Sequence, residues 1–241
     1  MLLGRRLPIG RRLGRAVLIA LGLSLLAVTA AGAHAIGGKD AVFVARTTGP
    51  DPLPFLYLGA KHMVTGYDHL LFLLGVIFFL FRLRQIALYV SLFSLGHSIT
   101  LLAGVLLHLH VDAHWVDAVI GVSVVWKAFD NLGGFKSLFG VQPDNRWIVL
   151  GFGLVHGFGL ATKLQALNLN PNGLVTNLIS FNLGVEIGQI IALSLILMVM
   201  TPWRRSRLFQ PTAAAANWAI MTAGFVFAIH QVAGYYLERM G

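Results

Sequence analysis

The sequence predicts an all-α, polytopic membrane helix bundle, and three observations lead to that prediction. Of the 241 residues, 57% are hydrophobic and only 11% are charged, less than half of the roughly 25% typical of soluble domains. Beyond Pro54 the chain divides into six apolar stretches, each near the length of about 20 residues that crosses a bilayer. Basic residues gather at the ends of these stretches, so the net charge of +9 indicates membrane orientation rather than nucleic-acid binding. A soluble enzyme or binding module is excluded.

Residues 1–35 are typical of a signal peptide. Five arginines precede the uncharged run 16–31, and small residues follow at Ala31, Ala33 and Ala35, which is the pattern of a secretory signal and its cleavage site. Cleavage would leave six membrane helices and an extracytoplasmic N-terminus, whereas an uncleaved signal anchor would add a seventh helix. We expect residues 36–57 to form a short extracytoplasmic lead and residues 58–241 a six-helix transmembrane domain.

Six membrane spans are predicted, and glycine and proline mark the last three of the joints between them. The spans cover residues 58–81, 86–107, 115–132, 147–164, 174–200 and 214–237. Lysine and arginine concentrate at alternate joints, after the first, third and fifth spans. Because short basic loops stay in the cytoplasm, the pattern predicts a multi-pass protein of the bacterial inner (cytoplasmic) membrane with its mature N-terminus outside.

The first span contains three ionisable side chains within eight residues, His62, Asp68 and His69. Such groups are costly in a bilayer and therefore suggest a functional site. In a straight helix the two histidines share a face but lie about 10 Å apart, so we expect His69 in the main site and His62 at an outer station. A helix break at Gly66 would instead bring both imidazoles to one ion. Asp68 points away from His69 in a straight helix, and we expect it to orient a group on a neighbouring helix.

Deeper ionisable residues complete the candidate site. His97 and His156 fall near the midpoints of the second and fourth spans, and Glu186 in the fifth span is spaced as if it shared a stripe with Asn182 and Gln189. Imidazole and carboxylate ligands suit nickel, zinc, cobalt, iron or copper(II), and the absence of cysteine excludes thiolate sites. The predicted metal ligands are His62, Asp68, His69, His97, His156 and Glu186. The alternative is that these groups only pack helices together.

Weaker candidates lie near the helix ends. Asp117 could cap the third span, His230 in the sixth span could bind an ion or pack, and a loop could gather an ion outside through His108, His110, Asp112 and His114.

Four sequence blocks resemble the HupE/UreJ family of bacterial membrane proteins. They are the His62-x5-Asp68-His69 element followed by Leu70 to Leu74, the block from Phe93 through His97 to Leu101, the block from Leu154 through His156 to Gly159, and the block from Phe181 through Glu186 to Gln189. The resemblance covers about residues 58–237. It implies a signal peptide, six transmembrane helices and nickel uptake linked to hydrogenase or urease maturation, with His62, Asp68, His69 and His156 at the metal site. Met63 stands where nickel-permease members have proline, so the chain looks closer to a broader branch.

Two functions follow as hypotheses. The first is a divalent-metal permease, with nickel favoured by the resemblance, whose partners are the lipid bilayer and the metal ion; a homo-oligomer is left open. The alternative is an intramembrane metal-dependent hydrolase of the alkaline-ceramidase type. In that alternative His69, His97 and His156 would bind the metal, Asp68 or Glu186 would act as base, and Ser98 would assist.

Overall fold

The computed structural model describes residues 39–167 and 169–240, and this part of the chain is 83% helical and contains no strand. The all-α prediction is confirmed. The predicted signal peptide, residues 1–35, lies outside the described residues. In chain order the helices are α1 (Lys39–Arg46), α2 (Pro52–Thr65), α3 (Tyr67–Ile77), α4 (Leu83–Leu106), α5 (Ala113–Asn131), α6 (Gly134–Phe139), α7 (Asn145–Gln165), α8 (Leu174–Arg205) and α9 (Phe209–Met240).

Four of these helices, α4, α7, α8 and α9, are long and apolar enough to cross a membrane. Two other predicted spans take different forms. The 19-residue helix α5 is continuous, but its apolar sequence contains the buried charged residues Asp117, Lys127 and Asp130. The first predicted span is divided into two helices, α2 and α3. The protein is therefore a helical membrane protein in which the short helix α3 and helix α5 hold all the buried carboxylates and the buried lysine of the described residues.

The expectation of one straight helix through the first span is wrong. Helix α2 ends at Thr65 and α3 begins at Tyr67, because Gly66 between them has an extended backbone, with φ −73° and ψ 101°. Glycine lowers helix stability, and here no larger residue fits. A Cβ atom at Gly66 would lie 2.9 Å from Nδ1 of His69 and 3.1 Å from Oδ1 of Asp68.

Three helix pairs form most of the packing: α4 with α7, α2 with α8, and α5 with α9. Glycine allows the backbones of each pair to touch. A Cβ atom at Gly157 would lie 2.1 Å from the His97 carbonyl oxygen, one at Gly184 would lie 2.0 Å from the Leu56 carbonyl oxygen, and one at Gly121 would lie 2.8 Å from the Ala228 nitrogen. Close packing by glycine is common in membrane helices. It fixes α4 and α7 so that their mid-helix histidines meet, while the short helix α3 packs against α5.

The bundle has two ends that differ in charge. We call the end formed by residues 78–82, 132–144 and 206–208 the basic end, because Arg82, Lys136 and Arg207 lie there, and the opposite end the distal end. At the basic end Arg204 donates hydrogen bonds to the carbonyl oxygens of Ile77, Phe78 and Leu80. These carbonyls lie at and just beyond the C-terminal end of α3, where the regular helical hydrogen bonds stop, so Arg204 anchors the end of α3 to α8.

Candidate metal centre

Four histidines from four helices meet at His69. The ring centroid of His69 lies 5.1 Å from that of His62 on α2, 5.7 Å from that of His97 on α4 and 5.0 Å from that of His156 on α7. The break at Gly66 makes the first of these contacts possible, because the two residues would lie about 10 Å apart along a straight helix. His62 is therefore part of the same cluster as His69, and the expected separation of a main site from an outer station is wrong.

Asp68 holds the imidazole of its own neighbour. Its Oδ1 atom lies 2.9 Å from Nδ1 of His69 and also accepts a hydrogen bond from the His69 backbone nitrogen at 2.9 Å. Since an ionised carboxylate can only accept, Nδ1 of His69 donates and Nε2 keeps its lone pair. Both residues lie in the first turn of α3, and the Asp68 carboxylate also lies within 4.8 Å of the ligand atom of His156 on α7. A carboxylate behind a histidine is the usual outer support of a metal ligand.

Ser123 on α5 fixes the orientation of His156. The Ser123 hydroxyl donates its hydrogen to the Ile120 carbonyl oxygen at 2.6 Å and lies 3.1 Å from Nε2 of His156. A hydroxyl has one hydrogen to donate, so Nε2 of His156 must be the donor in this contact. Nδ1 of His156 is then left with a lone pair, and it is buried without a hydrogen-bond partner.

The remaining imidazoles also have free nitrogens. Nε2 of His62, Nε2 of His69 and both ring nitrogens of His97 are buried without a hydrogen-bond partner. Buried polar atoms normally have partners because an unpaired one costs about 1–3 kcal/mol. A cluster of unpaired imidazole nitrogens is therefore unfavourable in itself and suggests a ligand that would use the lone pairs.

Two overlapping sets of ligand atoms could hold an ion. The atoms of His62, His69 and His97 lie within 4.8 Å of one another, and so do those of Asp68, His69 and His156. Both sets contain His69. Since Asp68 already bonds Nδ1 of His69, it acts as the support of His69 in the three-histidine set, which is the better geometry for a transition-metal ion.

Aromatic rings surround the cluster. The Phe93 ring centroid lies 5.0 Å from that of His156 and 6.2 Å from that of His69, the Phe72 centroid lies 5.3 Å from that of His156, and the Phe181 centroid lies 6.1 Å from that of His62. All three phenylalanines are buried. They exclude water from the imidazoles, which strengthens any charge interaction within the cluster.

The structure does not bring Glu186 to this cluster, and neither set of ligand atoms contains it. Its side chain is exposed on the outer face of α8, whereas Asn182 and Gln189 are buried. At 100° per residue, Glu186 points about 100° away from the buried Val185 and about 140° away from the buried Phe181. The apparent stripe of polar residues runs along the edge of the buried face, and Glu186 falls outside it.

The weaker candidates have structural partners or face outward. Asp117 does not cap α5; its Oδ2 atom pairs with Nζ of Lys163 at 2.8 Å, and Asp112 accepts from the His114 backbone nitrogen as the cap. The ring of His114 is held by Gln231 and Glu238 of α9. His230 is exposed. Asp117 and His114 therefore join helices, and none of these groups belongs to the ligand sets of the histidine cluster.

Sequence reasoning missed Ser123 and treated Lys127 as a residue of a basic joint. Both are buried in α5, and they lie four residues apart on one helix face. A signal was present, because a serine and a lysine at that spacing within an apolar run point to the same side of a helix.

No curated protein and no solved structure matches the chain. The family model described as HupE / UreJ protein matches residues 38–239, nearly the whole chain. The chain therefore belongs to the HupE/UreJ family, as the four sequence blocks indicated.

Proposed function

We propose that the protein carries a divalent transition-metal ion across the membrane and binds it at His62, His69 and His97, with Asp68 supporting His69. The observation that carries this proposal is the meeting of four buried imidazoles whose free nitrogens have no partner within the described part of the chain. Imidazole ligands without thiolate suit nickel, zinc, cobalt, iron or copper(II). The family resemblance favours nickel.

The depth of the cluster supports transport. His97 and His156 lie near the middle of α4 and α7, and a binding site near the midplane is typical of transporters, which expose it to each side in turn. We propose six membrane spans, with α2 and α3 together forming the first and α5 the third. The basic end then faces the cytoplasm of a bacterial inner membrane, residues 1–35 form the signal, and the ion arrives from the distal end.

Uptake into vesicles tests this function. The purified protein is placed in lipid vesicles that contain a metal-sensitive dye, and Ni²⁺, Co²⁺ or Zn²⁺ is added outside. We expect dye quenching with the natural chain and none with His69→Ala, because His69 contacts all three other imidazoles. His230→Ala is the matched control, since His230 is an exposed membrane-helix histidine away from the cluster. Equal uptake by the natural chain and His69→Ala would reject the proposal.

A hydrolase remains the second candidate because a serine hydroxyl and a carboxylate both lie beside the histidines. Its expected ligand set is not assembled here, however. His97 groups with His62 and His69, while His156 groups with Asp68 and His69. Ser98, the expected helper, donates to Asn182 at 3.2 Å instead. Release of fatty acid from a ceramide-type lipid by the metal-loaded protein, without uptake, would favour this alternative.

A further inference from the structure

A second buried polar cluster lies on α5 between the histidine centre and the basic end. Lys127 and Asp130 follow Ser123 on the same helix, and their α-carbons lie about 6 Å and about 10 Å beyond it along the axis. Their side chains are only 8% and 4% exposed, and Nζ of Lys127 lies 2.5 Å from Oδ2 of Asp130. An ion that left the histidine centre toward the basic end along α5 would meet this pair next.

The carboxylate of Asp130 also gathers two side-chain amides. Its Oδ1 atom accepts from Nε2 of Gln142 at 2.6 Å, and its Oδ2 atom accepts from Nδ2 of Asn145 at 2.9 Å. The other end of the Asn145 amide, Oδ1, is buried and has no hydrogen-bond partner. The pocket therefore contains two carboxylate oxygens and a free amide oxygen, which are ligands for a cation, and the only cation in contact with them in the described structure is the Lys127 ammonium.

Lys127 is also connected to the helix that carries His69. The stem of Lys127 packs on Gly75 of α3, where a Cβ atom would lie 3.2 Å from Cγ of the lysine. The Gly75 carbonyl oxygen accepts from Asn131 at 2.8 Å, and Asn131 donates to Asn217 of α9 at 2.9 Å. The stem of Lys127 is therefore packed against α3 while its ammonium lies at the Asp130 carboxylate.

We propose that Asp130 and Asn145 form a second site for the divalent cation, and that Lys127 occupies this site as a tethered cation until the ion displaces it. This inference rests on the proposed function, and it assigns to Asp130 and Asn145 the transport step that follows binding at the histidine centre. Oxygen ligands hold nickel, cobalt and zinc less strongly than imidazoles do, so the second site suits release. When the ion leaves, the Lys127 ammonium returns to the Asp130 carboxylate and prevents the ion from binding there again.

A buried ion pair that served only stability would be a weak choice, because apolar residues of similar volume often stabilise a protein as well or better. The free oxygen of Asn145 is also unexplained by a structural pair alone. The buried ion pair and the free Asn145 oxygen are both explained if the Lys127 ammonium occupies a cation-binding site that the transported ion also uses.

Binding stoichiometry tests the second site. Full-length protein in detergent is dialysed against Ni²⁺, and the bound metal is measured for Lys127→Met and for the double variant Lys127→Met with Asp130→Asn. Removal of the ammonium opens the site, so we expect Lys127→Met to bind one more equivalent than the double variant, which lacks both charges. Equal binding by the two variants would overturn the proposal. Absence of metal from the natural chain would contradict the proposed transport function instead, because the difference between the two variants does not depend on the histidine centre.

If Lys127→Met is too unstable for the binding experiment, its thermal unfolding temperature with and without Ni²⁺ tests the same proposal. That variant leaves the Asp130 carboxylate buried without a cation, and Ni²⁺ should restore the stability that the ammonium supplied. The double variant is the control, since its neutral amide needs no cation. We expect Ni²⁺ to raise the Tm of Lys127→Met by several degrees more than that of the double variant. An equal rise in both would overturn the proposal.

Discussion

The histidine centre and the Asp130 network, which is Asp130 with Lys127, Gln142 and Asn145, are both polar clusters inside the bundle, but they differ in how many of their atoms have partners. At the centre, five imidazole nitrogens of His62, His69, His97 and His156 have no hydrogen-bond partner. In the network, each carboxylate oxygen of Asp130 accepts from an amide, and one of them also from a lysine. Polar atoms with partners contribute to the resting structure, whereas those without, which are the five imidazole nitrogens and in the network Oδ1 of Asn145, cost free energy until a ligand binds.

The largest effect is expected from the support of His69. Asp68→Asn keeps the size of the side chain but removes the charge that fixes Nδ1 of His69 as the donor, and loss of such a partner typically weakens metal binding by about 10–100-fold. Calorimetric titration with Ni²⁺ measures the change. Asp40→Asn is the control, because Asp40 pairs with Lys61 at the protein surface and should leave the affinity unchanged. An unchanged affinity in Asp68→Asn would show that this hydrogen bond does not support a ligand.

A smaller loss is expected at the helix break. Gly66→Ala would place a methyl group 2.9 Å from Nδ1 of His69, so the ring or the backbone must shift. We expect about tenfold weaker Ni²⁺ binding, measured by the same titration.

Gly151→Ala is the matched control for that change. Nothing lies within 4 Å of a Cβ atom at Gly151, which is also a glycine of a membrane helix. Equal effects of the two substitutions would contradict the role given to the break.

The histidine centre and the hydrogen-bonded pair Asn131 and Asn217, which lies beside the Asp130 network, should respond oppositely in stability. His97→Leu removes two unpaired nitrogens, so the metal-free protein should become more stable, while Asn217→Ala deprives Asn131 of an acceptor and should cost about 1–3 kcal/mol. For a chain of this size each kcal/mol moves Tm by about 2–4 °C. Thermal unfolding in detergent without metal should show Tm rising in the first variant and falling in the second. A fall in both would contradict the view that the centre is costly when empty.

No effect on affinity is expected from Glu186→Gln. The carboxylate faces outward from α8 and is absent from both ligand sets, so Ni²⁺ titration should give an affinity within about twofold of the natural chain, a difference of less than 1 kcal/mol. A loss of Ni²⁺ affinity as large as that expected for Asp68→Asn would indicate that Glu186 takes part in metal binding.

Much of this arrangement could be predicted from the sequence because the bilayer makes polar residues conspicuous. The helical class and the convergence of His97, His156 and His69 follow from apolar runs interrupted by histidine. The break at Gly66 could not be decided, since a glycine within an apolar stretch is often tolerated in a continuous membrane helix. What decides it is the crowding of the His69 ring against any larger residue.

Other features depended on tertiary contacts that spacing does not show. Glu186 was misplaced because a helical stripe indicates shared direction only approximately, and the position of α2 against α8 determines which edge of that stripe is covered. Lys127 and Asp130 looked like residues of a solvated joint, and only the packing of α5 against Gly75 and Asn145 shows that they are buried.

The most direct test of the central claim is X-ray absorption spectroscopy of the Ni²⁺-loaded protein. The account predicts a first shell that contains three imidazole nitrogens at about 2.1 Å, by analogy with nitrogen ligands of zinc, and the loss of this imidazole signature in His69→Ala. A first shell of oxygen atoms alone, or an imidazole signature that survives in His69→Ala, would contradict a metal site at His62, His69 and His97.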